Sequence, residues 1–431
     1  MRLAERAGLA ELTDQWMKIP GSMGANAGAK VCSIVAGMVA GADSIDDLAV
    51  VRHGAMPVLF RRIKAPSTLG TFLRGMCWGD VSSLNAVARR MLLGLTDLVD
   101  LLPDAGQLAF VDIDSKTTQV YGGHKQGARF GHVGVLGLDF LATTLSTLPA
   151  APVIVDTRLR GGNAESGRGA HTLLTTSLTT ARAAGATGTL IVRADTKYFQ
   201  GKVIRVIRRA GAHFSIAAPL NQGIRRAIDG IHAHQWTAIR YPRAIYDPQH
   251  DSWISDAEIA ETNYTAFTNI TQNRGNHTTA RLIVRRVRVL RRDEQGELFP
   301  AHRYHAVFTD SPFDLLTAEA QHRDHAIVEQ VFADLNDSAL AHFPSGKFTA
   351  NAGWLTLAAL THNLLRAAGR LAGDTHATAR TATLRRRLIA IAARISRSAR
   401  TITLHLPEAW PWQHAWQHLF TSTHHPPPQA T

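Results

Sequence analysis

The period of the apolar positions changes three times along the chain, and the changes mark its organisation. Residues 1–104 read as helical. Leu3, Leu9, Leu12 and Trp16 follow a loose helical spacing, and 29–40 is a small-residue apolar segment suited to a buried helix. The run Asp43-Ser-Ile-Asp-Asp offers caps to a helix carrying Leu48 and Val51, Pro66 opens another, and 82–102 reads as a further amphipathic helix. From about residue 105 the period shortens. Stretches 108–113, 131–141, 151–156, 188–194 and 213–218 read as strands, with helices expected over 166–184, 200–209 and 222–233. The run GTLIVRA (188–194) is the continuous apolar kind that a fully buried strand shows. Residues 234–309 are rich in β formers, concentrated at 236–241, 263–268, 281–292 and 303–309. From Ser311 the helical period returns. Val328, Val331, Phe332 and Leu335 stand at i, i+3, i+4 and i+7, and an apolar helix over 351–372 and a basic one over 379–400 follow.

Three strands, a helix, a strand, a helix, a strand and a helix is the order of an RNase H-like fold. The expected class is therefore α/β: an RNase H-like mixed-sheet catalytic core, interrupted by a β-rich insertion, with helical N- and C-terminal regions. The expected divisions are 1–104 (helical, a candidate for DNA-end binding or for support), 105–233 (first part of the core), 234–309 (insertion), 310–372 (last part of the core) and 373–431 (basic helical region and disordered tail). In such a sheet the first and fourth strands lie side by side.

That placement gives the acidic residues their interest. The first strand ends in Asp112 and Asp114, whose alternation puts both carboxylates on one face. Carboxylates at the end of an apolar strand are costly unless something pairs with them. Asp195 ends the fourth strand and would meet Asp114 at the same sheet edge. Glu329 stands about 100° round the helix from Val328, at the border of the core stripe, with Asp334 at the other border as a rival. Three such acids suit Mg²⁺ or Mn²⁺, expected as two ions. Each also has a plain structural reading: Asp112 as an orienting group, Asp195 as a helix N-cap, Glu329 as a surface residue.

Composition sharpens the partner. With 47 Lys and Arg against 34 Asp and Glu, the net charge of +13 points first to nucleic acid, with a generic cationic surface as the alternative. The run RLIVRRVRVLRR (281–292) sets six arginines among apolar residues. It reads as a strand laying Arg281, Arg285, Arg286 and Arg288 along a phosphate backbone, or as an edge strand protected by charge. Cys32 and Cys77 can build neither a disulfide framework nor a four-cysteine metal site, and the 21 histidines show no HExxH spacing. The apolar run 31–42 is too short for a bilayer and holds Gly37 and Gly41, so no membrane contact and a cytoplasmic location are expected. The abrupt helix-like start leaves room for an upstream extension. Trp410, Trp412 and Trp416 are read as packing residues, and His424 and His425 as part of a Pro-rich tail.

The stretches VDIDSKTTQVYGGHKQGARFGH (111–132), LRGGNAESGRGA (159–170), LIVRADTKYF (190–199), RYHAVFTDSPF (303–313) and the run 322–355 together resemble DDE transposases of bacterial insertion sequences, of the insertion-sequence 1380 type. The resemblance runs from about residue 40 to 420. It implies metal-dependent cleavage of DNA at transposon inverted-repeat ends, then strand transfer into target DNA, in an end-paired complex expected to be a homodimer. It puts the catalytic, metal-holding acids on Asp114, Asp195 and Glu329. Around the glutamate, related enzymes often carry a tyrosine, an arginine and a lysine where this chain has His322, His325 and Asn336. Arg323 is the expected stand-in for the arginine, and Lys347 or Arg366 for the missing lysine; Arg160 and Arg193 are expected near the scissile phosphate. Two other functions stay open at this stage: an RNase H-like nuclease without strand transfer, and an inactive DNA-binding remnant.

Overall fold

A computed structural model describes residues 1–21, 24–60, 62–131, 134–165, 167–242, 244–268, 277–292 and 298–424. After the short helices Arg2–Arg6 and Leu9–Trp16 come α1 (Ala27–Ala40), α2 (Pro66–Gly75) and α3 (Trp78–Leu98). Then follow β1 (Leu108–Gln119), β2 (Leu136–Ser146), β3 (Val153–Gly161), α4 (Ala170–Ala183), β4 (Thr189–Ala194), α5 (Gly201–Arg209), β5 (His213–Ala218) and α6 (Gln222–Asp229). The β-rich stretch holds β6 (Ala257–Ala266), β7 (Thr278–Arg292) and β8 (Leu298–Thr309), and helices α7 (Leu315–Arg323), α8 (Ile327–Asn336) and α9 (Phe348–Leu371) come after it.

Among the described residues ten strands form one mixed sheet, in the order β3–β2–β1–β4–β5–β8–β7–β6, with two-residue strands at Arg129–Phe130 and Thr237–Ala238. β1 runs antiparallel to β2 and parallel to β4, and β4 is parallel to β5. The expected neighbours, first and fourth strands, do lie side by side. β8 joins antiparallel to β5, from Ala306 opposite Ala218 to Thr309 opposite Ser215, so the strands of 257–309 extend this sheet. The parallel centre is buried from Leu190 to Ala194, as its unbroken apolar run requires.

Helices cover both faces. Phe332 of α8 meets Phe140 of β2 edge-on at 5.4 Å, while Ser177 of α4 bonds Thr143 at 2.7 Å from the other side of the same strand. α9 is buried along nearly its whole length and packs on α3 and β3. It also satisfies the free edge of β3: the Asn363 side chain accepts from the Ile154 N–H and donates to the Ile154 carbonyl, each at 2.7 Å. The β2–β3 register slips next to this point, between Thr143 and Thr144.

Several expected bounds are corrected. β1 does not end at Asp114; it loses β4 after Ile113 yet stays paired with β2 as far as Gln119. β2 and β3 begin later in the chain than expected, at Leu136 and Val153, and α4 starts at Ala170 rather than at 166. The helix expected near Leu48 is a 3-10 turn, Asp46–Arg52. The basic helix over 379–400 is only a short helix, Thr381–Leu384, and a π turn, Arg385–Ile389. Arg394–Ser398 and Thr401–His405 pair instead as a hairpin, turned by Ala399 at φ 51°. His424 ends a helix, Gln413–His424, rather than lying in the tail, and 425–431 lie outside the described residues. No described helix is long and apolar enough to cross a membrane.

Burial of α9 has a consequence for acid stability. His362, fully inside and bonded through Nε2 to the Pro152 carbonyl at 3.2 Å, has its pKa pushed down to about 4, by burial first and by the Arg366 charge second. The unfolded chain takes up this proton near pH 6.5, whereas the fold refuses it until about pH 4. Stability held above pH 6.5 is therefore lost as pH falls through that window. We expect His362→Gln, which keeps a donor near the Pro152 carbonyl, to reduce the loss between pH 7 and 4.5 by about 1–3 kcal/mol in urea unfolding. Equal losses in both proteins would mean that His362 is not held neutral.

Candidate active site

Ile113 and Ala194 are the last residues paired in parallel between β1 and β4. Asp114 and Asp195 come next along the two chains, near enough for the Asp195 charge to act on Asp114. The preceding pair on the same face is Asp112 opposite Arg193. Asp112 is fully buried. It accepts from Arg193 Nε and Nη2, each at 2.8 Å, and its Oδ1 lies 2.8 Å from His325 Nδ1. Burial alone would raise its pKa; Arg193 and His325 outweigh that and hold the carboxyl below its ordinary value. Both oxygens of Asp112 are thus taken up inside the protein, and it acts as the anchor beneath Asp114.

Asp114 is half-buried, and its Oδ1 accepts from the Ser115 N–H at 2.7 Å. Its pKa is raised, by burial first, with the Asp195 charge adding to the rise against the Ser115 bond and the nearby His325 and Lys197. Asp195 caps the 3-10 turn Thr196–Tyr198 by accepting from the Lys197 N–H at 2.8 Å, and Lys197 Nζ stands 3.6 Å from Oδ2. Its expected structural role as a cap is therefore real and leaves Oδ2 facing outward beside an exposed ammonium. Tyr198, fully buried, borders the pair; burial and the Asp114 charge raise its hydroxyl pKa, so the ring stays neutral.

Glu329 is exposed, in the first turn of α8. α7, a 3-10 turn Asp324–Ala326 and α8 follow without a break, and Glu329 lies one turn after His325. Since His325 touches Asp112, this turn runs along the same strip of β1. The charges of Asp337 and Glu329 both act on Lys116, two residues beyond Asp114, although burial dominates and lowers the Lys116 pKa. Among the described residues no three His, Cys, Asp or Glu side chains converge closely enough to hold a metal. The structure brings Asp114 and Asp195 together and leaves Glu329 at the rim. The rival Asp334 is buried and bonded to Arg380 and to the Thr381 N–H, away from β1.

The donor set fits a hard divalent cation at the pair: two carboxylates, one with a raised pKa because burial and a like charge disfavour its ionised form. A cation there would relieve both terms.

The expected arginines divide. Arg160 and Arg193 are not near the open side. Arg193 is buried on Asp112 and bonds the Gln321 carbonyl at 2.7 Å, while Arg160 is buried on Asp139 with Nε–Oδ1 of 2.7 Å. Lys347 bonds the Arg74 carbonyl at 3.1 Å and Arg366 bonds the Ala379 carbonyl, so each already serves the fold. On β7, Arg281 pairs with Glu261, Arg285 with Glu319 and Arg286 with Glu258, each at 2.7 Å. Arg323 also takes Glu319, at 2.9 Å, so one buried carboxylate holds two guanidinium groups. Arg288 is exposed, with no side-chain partner among the described residues. Beside Asp195 a cleft of about 400 Å³ is lined by Thr196, Leu220, Arg285, Tyr304, His322 and Arg323. His322 bonds Ser215 Oγ at 3.0 Å, and burial, helped by the His325 and Arg193 charges, pushes its pKa down to about 3.

Sequence reasoning missed His325 as the partner of Asp112. The signal was its spacing four residues before Glu329, which puts both on one helix face. It also missed Arg193 as that partner, although the parallel register sets the two residues opposite.

No curated protein matches the chain. Residues 35–426, nearly the whole chain, match the family described as Transposase DDE domain group 1. With a mixed α/β sheet and an aspartate pair at the split between its first and fourth strands, the chain belongs to the DDE transposase family.

Proposed function

We propose that this is the transposase of a bacterial insertion sequence of the 1380 type, built on an RNase H-like core, which cuts DNA at the element's inverted-repeat ends and joins them to target DNA by in-line phosphoryl transfer. The observation that carries the reading is the juxtaposition of Asp114 and Asp195 on neighbouring parallel strands, with Asp112 buried behind them. The sheet order, three antiparallel strands followed by two parallel ones beside the first, supports the RNase H-like assignment.

In this reading Asp114 and Asp195 would hold the divalent ions, Mg²⁺ or Mn²⁺, with Glu329 at the rim as the third acid. When bound, such ions stabilise charge on the attacking and leaving oxygens of an in-line displacement. Arg193 and His325 keep Asp112 ionised, which fixes the strand end that carries Asp114. Lys197, beside the outward oxygen of Asp195, meets the phosphate's negative charge. Water attacks first, breaking the bond to the 3′ oxygen and leaving a 3′ hydroxyl. That hydroxyl then attacks a target phosphate and displaces another 3′ oxygen. Two copies of the chain, one per end, complete the assembly.

Asp114→Asn, Asp195→Asn and Glu329→Gln should each reduce Mg²⁺-dependent cleavage of end-bearing DNA by about 10²–10³-fold or more while DNA binding survives. Mn²⁺ should raise the thermal midpoint of the wild type and leave Asp114→Asn and Asp195→Asn unmoved. Full cleavage by Asp114→Asn would overturn the first acid, and clean cutting without joined product would reduce the protein to a nuclease.

The β7 arginines separate by partner. Arg288→Ala should lower the salt dependence of duplex binding by about one counterion and leave stability alone. Arg285→Ala removes one of the two cations on buried Glu319 and should cost about 1–3 kcal/mol of stability. If the two substitutions had the same effect, the Glu319 network would not be the structural element described.

A further inference from the structure

The stretch 159–170 of the sequence resemblance supplies none of the acid pair, yet it lines a second cleft. It encloses about 300 Å³ and is walled by Trp78, Phe348, Arg158, Arg160 and Arg168. Trp78 opens α3 and Phe348 opens α9, so two helix starts set two aromatic rings together, 5.5 Å apart between centroids and tilted by 53°. Trp78 is 57% exposed, an unusual state for an indole with an aromatic neighbour. Phe348 is fixed from behind: its N–H donates to Gln126 Oε1 at 3.1 Å, and its ring lies against Gly127, where φ is 80° and any side chain would collide with it.

The opposite wall is cationic and equally fixed. Buried Arg160, paired with Asp139, donates to the carbonyls of Glu165 and Arg168 and so shapes the loop that presents Arg168. Arg158 is half-buried and Arg168 exposed, and among the described residues neither guanidinium has a partner. The contrast with β7 is direct, since there Arg281, Arg285 and Arg286 are all neutralised by glutamates. The loop also abuts the turn that Asp195 caps: a Cβ at Gly167 would meet the Lys197 carbonyl at 2.9 Å and run into Gln200, so no side chain fits between them.

A flat aromatic face in one cleft with two unpaired guanidinium groups matches a ligand that offers both a base and phosphates. We infer that this cleft holds an unpaired nucleotide of the DNA strand next to the acid pair, its base stacked on Trp78 and its phosphates on Arg158 and Arg168. The inference rests on the DNA-cutting function proposed above and adds to it the place and the form in which one strand is held.

The test is binding of a short single-stranded oligonucleotide, and of end-bearing duplex with and without an unpaired base at the end, by fluorescence anisotropy across a salt series. Trp78→Ala should weaken single-strand binding about tenfold or more, the loss of one stacked base, and Trp78→Phe should restore most of it. Arg158→Ala with Arg168→Ala should lower the salt slope by about 1.4, two phosphates on a single strand, and the double Lys variant should keep the slope. Arg209→Ala, on exposed α5, is the control, and thermal midpoints show that each variant is folded. Unchanged binding by folded Trp78→Ala and by the double Ala variant, with the wild type binding normally, overturns the cleft and leaves the transposase reading standing. A wild type that binds neither single strand nor duplex overturns both.

Discussion

One buried cluster holds the site together: Asp112 on β1, Arg193 on β4 and His325 on the turn between α7 and α8. Each comes from a different part of the chain, and each needs the others. A carboxylate with no exposure and a guanidinium nearly as buried are costly alone, and removing one partner of such a pair costs about 3–5 kcal/mol. Their two parallel bonds fix β1 against β4, so the next residues along, Asp114 and Asp195, stand where the two strands part. The His325 bond fixes the helical turn above, which sets Glu329 over the same strip. The pair at the surface is thus a consequence of the charge buried beneath it.

The raised pKa of Asp114 follows from the same geometry. Two carboxylates placed side by side by a sheet register cannot spread apart, and partial burial denies Asp114 the full help of water. The fold therefore carries a standing cost at this edge. Such costs are found where a bound group relieves them. Lys197 offsets part of it from 3.6 Å, and the outward oxygen of Asp195 leaves the rest for a cation or for substrate.

How much of this was legible in the sequence depends on range. The sheet centre was legible, because GTLIVRA and the apolar run before Asp112 have the unbroken character that only doubly covered strands need. The adjacency of the first and fourth strands was legible from the alternation of strands and helices, whereas the joining of the 257–309 strands to the same sheet was not. Strand ends were not. β1 continues past Asp114 because β2 still pairs with it, and a hairpin partner starting at Leu136 gives no local sign at residue 114. The hairpin at 394–405 was hidden by arginines, which serve helix and edge strand alike. Asp112 and Asp114 looked equal by alternation. Only the cross-strand pairing with Arg193 and the long-range contact with His325 separate the buried, fully bonded Asp112 from the half-buried Asp114.

Net charge was the least faithful guide to position. The run of arginines on β7 looked like the DNA track, yet cross-strand and helix glutamates neutralise three of its members. A guanidinium already satisfied by a carboxylate must break that bond before it meets a phosphate, and the gain shrinks accordingly. Where charge remains available is set by what the fold leaves unpaired: Arg288 at the far end of β7, and Arg158 and Arg168 beside an exposed indole. Arg168 lies on a loop shaped by the buried Arg160–Asp139 pair, and Arg158 lies beside it on β3. The architecture is the same as at the acid pair, with an ion pair inside the sheet positioning unpaired charge at its edge.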